Sequence, residues 1–249
     1  MFLGKWMGQE VAVKKYLKKQ GFRNKHIGHF IEEVQVINKL NHPCIVLYMG
    51  MCIYDNEYAM VTEFLSGGSL FDYLHKKRQK LSEELLVAFC KDVSLGMAYL
   101  HEKKVLHCDL KSSNLLIDDN DNIKLCDFGL SRITSAKNTK KNRALRVGTP
   151  HWMAPEILNG GKYDSPSDIY SFGILLWEMM TGKIPYKDYS TAQIIGLVGK
   201  QENHHIEIPG YPNKELLDIF MRCTERDPAK RPTFKQIVRD LEKVETMMN

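Results

Sequence analysis

The sequence predicts an α+β fold of two unequal lobes, and three observations predict it. The first ~65 residues are strand-rich with one helical pattern. A glycine pair then breaks the chain in "SGGS", 66–69. Beyond it the texture changes to long helical patterns, one of them apolar on nearly every side.

Each element follows from its pattern. "EVAVKKYL" (10–17) alternates apolar and polar residues at its start, as a half-buried strand does. "FIEEVQVINKL" (30–40) puts Phe30, Val34 and Ile37 at spacings of four and three, on one face of a helix. "HPCIVLYMGMCI" and "YAMVTEFL" read as two strands joined by a polar turn at Asp55-Asn56. In "LSEELLVAFCKDVSLGMAYLHEKK", Ser82 is positioned to cap a long helix, and Glu83 and Glu84 suit the positive end of its dipole. "NLLID" and "NIKLC" can pair as a short hairpin, with Asp118 to Asn122 as the turn. "DIYSFGILLWEMM" (168–180) is expected to be a helix buried inside the larger lobe, and "NKELLDIFMRCTERD" and "TFKQIVRDLEKVETMM" are amphipathic helices.

Bulk properties narrow the function. A chain of 249 residues can bury a sizeable core. Its formal net charge of +5 is mild, short of the clustered basic excess of a nucleic-acid binder, so no nucleic-acid partner is expected. Six cysteines lie scattered with no C-x-x-C pair, which argues for a reducing compartment and against a zinc or disulfide framework. Cys44, Cys52, Cys126 and Cys223 are expected as small core residues. No signal-peptide pattern opens the chain, and the longest apolar stretch is too short to span a membrane and contains Glu178. A cytoplasmic location without membrane insertion is the expectation.

The chemistry concentrates in "LHCDLKSSNLLID" (106–118) and "NIKLCDFGLSR". Pairing the two hairpin strands brings Asn114 near Asp127. An amide oxygen and a carboxylate make a hard-oxygen set, suited to Mg²⁺ shared with phosphate. Asp109 can accept a hydrogen bond from an incoming hydroxyl and aim it, and Lys111 can neutralise a migrating phosphoryl group. Lys14, in the small lobe, can reach α- and β-phosphates if a carboxylate positions it, and Glu33 is the obvious partner.

These motifs stand in the order "VAVK", "HCDLKSSN", "DFG" and "APE" (154–156), and "GTPHWMAPE", "SDIYSFGILLWEMMTGKIPY" and "RDPAKRPTF" extend the series. Together they resemble a protein kinase domain over nearly all of 2–245. "GKWMGQEVAVKK" and "VTEFLSGGSL" resemble the tyrosine-kinase-like group of Ser/Thr kinases, which includes the Raf and mixed-lineage kinases. The resemblance implies one domain over 1–249, with a small antiparallel-sheet lobe at 1–65 and a helical lobe at 66–249. It implies ATP and Mg²⁺ as cofactors and transfer to protein Ser/Thr hydroxyls in intracellular signalling. Lys14 and Glu33 would form an ion pair between sheet and helix, and Thr62 would be the gatekeeper. Glu63 to Leu65 would bond adenine, with Ala12 and Leu116 on its two faces. Asp109 and Lys111 would be catalytic, and Asn114 and Asp127 the metal ligands. Ile37, His107 and Phe128 would stack in a regulatory spine, Glu156 would pair with Arg231, and Asp168 would brace the catalytic loop. Lys111 and Thr149 match the Ser/Thr rather than the tyrosine pattern.

Two departures stand out. Cys108 replaces the family's arginine, which grips a phosphate on the activation segment. Weak dependence on that clamp is therefore expected, so alanine at Thr134, Ser135 and Thr139 together should leave activity. The basic run Lys137, Lys140, Lys141, Arg143 and Arg146 is expected to be a solvated loop. The family's first strand and glycine-rich phosphate loop would precede "FLGKW", where Met1 stands. Either a natural chain supplies them upstream, which the intact set of other parts favours, or the domain is impaired and serves as a kinase-fold binding or scaffold module. Without that strand the small sheet would have an exposed edge.

Overall fold

The structure, a computed structural model, describes all residues except 17–22, 55–56, 134–148, 202–205, 209 and 249. The expected Asp55-Asn56 turn, the basic run and Thr134, Ser135 and Thr139 lie outside the described residues.

The small lobe is a four-stranded antiparallel sheet of β1 (Phe2–Trp6), β2 (Gln9–Tyr16), β3 (Tyr48–Tyr54) and β4 (Glu57–Glu63), in the order β1-β2-β4-β3. β1 and β2 close on the two-residue turn Met7-Gly8, both with positive φ (48° and 83°), the handedness that matches strand twist. β1 forms one edge, and its Phe2, Leu3 and Trp6 side chains are exposed. Helix α1 (Arg23–Ile37) packs on the sheet through Phe30, whose ring lies 5.0 Å from Tyr16 and 5.4 Å from Tyr58. It ends three residues short of the sequence expectation, because Lys39 and Leu40 close into tighter turns. Residues 42–47, expected as strand, hold only an isolated bridge from Ile45 to Leu125. The Val46 N–H and the Cys44 carbonyl are both spent on Leu125 in the large lobe.

The chain crosses between lobes at Phe64–Gly68. Gly67 lies flat on Ile117: a Cβ there would stand 2.6 Å from the Ile117 carbonyl oxygen. Gly68, with φ of 78°, turns the chain into β5 (Gly68–Ser69). β5 pairs with β7 (Leu115–Ile117), which pairs with β8 (Ile123–Leu125) in the expected hairpin. Asp118 builds its turn by accepting the N–H groups of Asn120 and Asn122.

Helix α2 (Glu83–Glu102) is capped by Ser82, whose hydroxyl accepts the Leu85 N–H. After β6 (Val105–Leu106), which pairs with β9 (Arg132–Ile133), come the short α3 (Pro155–Leu158) and α4 (Ser165–Thr181). α4 is enclosed from Ser167 to Met179, which explains a sequence apolar all round. It starts in a reciprocal Asp164–Ser167 capping box and ends at left-handed Gly182. The one-turn α5 (Thr191–Ile194), α6 (Lys214–Cys223) and α7 (Phe234–Met248) complete the lobe. Gly173 admits α6 so closely that a Cβ would sit 2.7 Å from Thr224 and 2.9 Å from Cys223.

Cys44 and Cys223 are buried as expected, and Cys126 is half-buried. Cys52 is exposed: it lies on β3, an edge strand of the sheet among the described residues.

Candidate active site

β2 and α1 meet at Lys14. Its ammonium lies 2.8 Å from Glu33 Oε1 and 2.7 Å from Asp127 Oδ1, joining sheet, helix and large lobe. Tyr16 donates to the other Glu33 oxygen, so the buried carboxylate has a partner on each side. Burial opposes the charge on Lys14, but Asp127 and Glu33 outweigh it and raise its pKa. Burial likewise works against ionised Asp127, yet Lys14 and the Gly129 N–H hold its carboxyl below the usual range.

The catalytic loop hangs from α4. Enclosed Asp168 accepts the His107 N–H (3.0 Å) on one oxygen and the Cys108 N–H (2.9 Å) on the other. Cys108 has φ of 65°, a conformation few non-glycine residues adopt, and this two-handed grip holds it there. His101 also bonds Asp168 at 2.8 Å, a partner that no periodicity in the sequence announces. Burial pushes Asp168 toward neutrality, but His101 and the backbone donors prevail and its pKa is lowered. The Cys108 thiol is buried, and burial together with the Asp168 charge raises its pKa strongly, so it stays a neutral thiol.

Beyond Cys108 the reactive groups converge. Lys111 Nζ stands 2.7 Å from Asp109 Oδ2 and 2.7 Å from Thr149 Oγ1. Asn114 Nδ2 donates to the Asp109 carbonyl (2.8 Å) and to Asp109 Oδ2 (3.0 Å). The Asn114 carbonyl accepts the Cys126 N–H, which ties it one residue from Asp127. Asn114 Oδ1 and Asp127 Oδ2 accept no hydrogen bond from any described residue. That leaves two hard oxygens for a divalent cation, the donor set Mg²⁺ prefers.

Ala12 on β2 lies opposite Thr62 on β4, and Leu116 is half-buried on β7. The Glu63 side chain is tied at 2.8 and 2.9 Å to Lys124 and accepts the Leu47 N–H, so it is committed behind the crossing. His107 and Phe128 rings lie 5.5 Å apart, and Ile37 is buried. Below, Arg231 grips Glu156 at 2.8 and 2.9 Å.

Two further groups escaped sequence reasoning. Glu178, fully enclosed in α4, joins His75 (2.8 Å), Ser112 (2.6 Å) and Trp152 (3.0 Å). An acid within an apolar run signals a buried network, but nothing in the run names its partners. Lys124, which holds Glu63, looks in sequence like an ordinary exposed strand residue.

Comparison with known proteins agrees with this geometry. Residues 2–241 match the family described as protein tyrosine and serine/threonine kinase. The chain is 40% identical over 237 residues to serine/threonine-protein kinase CTR1 of Arabidopsis thaliana, covering 94% of this chain and 28% of that protein. It is 37% identical over 242 residues to mitogen-activated protein kinase kinase kinase 13-A of Xenopus laevis, covering 97% and 24%. With serine/threonine-protein kinase STY17 of Arabidopsis thaliana the identity is 35% over 239 residues, covering 96% and 41%. The chain thus spans well under half the length of each of these relatives. An antiparallel small lobe, a helical large lobe and this run of motifs make the chain a member of the protein kinase family, of the tyrosine-kinase-like Ser/Thr type.

Proposed function

We propose that the chain transfers the γ-phosphoryl group of ATP to Ser/Thr hydroxyls of protein substrates, and that it works in the cytoplasm. The observation that carries the reading is Lys111 bridging Asp109 and Thr149. It puts a carboxylate acceptor, a cation and a hydroxyl at one point, where an incoming alcohol would be oriented and the charge on a migrating phosphoryl group offset.

In this reading the small lobe is 1–65 and the large lobe 66–249. Ala12 and Leu116 enclose adenine, Thr62 guards the cavity behind it, and Glu63 and Leu65 offer backbone groups to its edge. Lys14, oriented by Glu33, binds α- and β-phosphate oxygens. Asn114 and Asp127 hold Mg²⁺ through their two spare oxygens. Mg-ATP, when bound, supplies the transferable phosphoryl group and neutralises charge on the phosphates. Asp109 orients the acceptor hydroxyl and takes its proton late, as the alcohol oxygen bonds to phosphorus.

The test is phosphate transfer from labelled Mg-ATP to a mixed protein substrate, followed by identification of the modified residue. Phosphoserine and phosphothreonine formation that Asp109→Ala abolishes supports the reading. Neither a thermal shift with Mg-ATP nor transfer would overturn it in favour of a kinase-fold binding module.

A further inference from the structure

A second concave site lies in the large lobe, sharing no residue with the nucleotide cleft. It is a cavity of about 1080 Å³ between the 74–81 segment and the chain that follows α4. Its floor is apolar, with Trp177 and Tyr186 buried and Met180 half-buried beside them. Its rim carries Arg78, Lys80, Lys183 and Lys187, all exposed. Among the described residues none of these four cations takes part in an ion pair. Among the described residues two carboxylates, Asp188 and Glu207, share the lining.

The backbone there is held in an uncommon conformation. Arg78 and Tyr186 both have positive φ (52° and 51°) without being glycine. Cys108 and Asp127 in the catalytic centre do the same. Such positions persist where the surroundings over-determine them, and they cluster at functional sites.

The cavity also adjoins the acceptor side of the active site. His75, on its inner wall, bonds Glu178, and the same carboxylate holds Ser112, the neighbour of Lys111, and Trp152, just after Thr149. One buried side chain therefore joins the groove wall, the catalytic loop and the segment that carries Thr149.

We propose that this groove docks an acidic segment of the protein substrate, with a large apolar side chain seated on the Trp177–Tyr186 floor and carboxylates meeting the four-cation rim. The inference rests on the kinase reading above, since it makes the groove part of substrate selection. Charge complementarity supplies the choice of occupant: four cations on the rim of one groove, without an ion-pair partner among the described residues, act together on an anionic chain laid in it. A nucleic acid suits the site less, because Asp188 and Glu207 interrupt the rim where a phosphate backbone would track.

Two twelve-residue peptides test it on the full chain. One carries a central serine, one phenylalanine and five glutamates; the other has glutamine for each glutamate. Anisotropy of the labelled peptides, without nucleotide, should show the glutamate peptide binding roughly tenfold tighter at low salt, and the preference should vanish at 1 M NaCl. With Mg-ATP its KM should be lower by a similar factor, with transfer to the glutamine peptide as internal reference. Combined Arg78→Ala, Lys80→Ala, Lys183→Ala and Lys187→Ala should equalise the two peptides. Lys183→Glu with Lys187→Glu should reverse the preference toward a lysine peptide, a gain that misfolding cannot mimic. Equal affinity for both peptides in the unaltered chain, discrimination that survives the quadruple change, or tighter binding of a single-stranded oligonucleotide would each overturn the proposal. Loss of transfer to both peptides with intact anisotropy would sink the kinase reading and the substrate role built on it, leaving only an acid-binding surface.

Discussion

The guanidinium of Arg231 is wholly enclosed and meets both oxygens of Glu156, at 2.8 and 2.9 Å. It also donates to the carbonyls of Glu225, Pro166 and Arg226. One side chain thus fastens α3, the start of α4 and the 225–231 turn. Arg231→Ala should destabilise the chain by about 3–5 kcal/mol, because it strands a carboxylate and three carbonyls at once. Arg231→Lys should recover only part of this, since an ammonium lacks the planar fork. Denaturant midpoints of the three proteins check it, and a loss below about 1 kcal/mol for the alanine variant would refute it.

Asp168→Asn keeps the shape of the carboxylate and replaces one acceptor oxygen by a donor. One of the His107 and Cys108 N–H groups then faces an NH₂ group in a closed environment. A cost of about 3 kcal/mol is expected. Positive-φ Cys108 loses half of the grip that holds it, so turnover should fall as well. Parallel unfolding and transfer assays check this, and unchanged turnover would show that the loop is held by other means.

Transfer should fall at least about 10³-fold in Asp109→Asn with nucleotide affinity unchanged. In Lys14→Met the loss should be of order 10²-fold or more. The two differ in place: Asp109 stands at the acceptor and Lys14 between Glu33 and Asp127. Single-turnover rates with ATP titrations separate them. Wild-type rates in Asp109→Asn would remove this residue from the chemistry.

The pH dependence of stability follows from the Lys14–Asp127 contact. Asp127 has a lowered pKa in the folded chain, so its contribution is present above the ordinary value of about 3.9 and lost as pH falls through the folded value. Lys14 has a raised pKa, so its contribution is complete below about 10.4 and lost as pH rises through the folded value. Between these limits the pair should add no slope to a plot of stability against pH. Asp127→Asn should flatten the acid limb relative to the parent chain. An acid limb of the same steepness in the variant would assign that loss to other carboxylates.

Much of this was legible in sequence because local patterns carried it. Ser82 sat at a helix start, Asp118 and Asn122 marked a turn, and the apolar run 168–180 could only be enclosed. Lys14, Asp109, Asn114 and Asp127 were singled out by residue type and order, and the structure draws Lys14 to Asp127 and Asn114 to Asp109. What stayed hidden depends on long-range pairing. Residues 42–47 have strand composition, yet the Val46 N–H and the Cys44 carbonyl go to Leu125 and the segment makes only an isolated bridge. Cys52 reads as core until the sheet order leaves β3 at an edge. His101 and Glu178 show their partners only once α2 and α4 are brought together.

Gly67 has a consequence that reaches beyond its own turn. A single methyl there would collide with Ile117, at 2.6 Å from its oxygen and 2.9 Å from its Cβ. The strand on which Ile117 sits cannot retreat, being laced to β5 and β8. The crossing segment would therefore be the part to yield, prying the upper half of the molecule from the lower like a shim under a hinge plate. How wide the jaws stand is thus governed by a hydrogen atom, and Gly67→Ala is the smallest chemical change able to reset that gape.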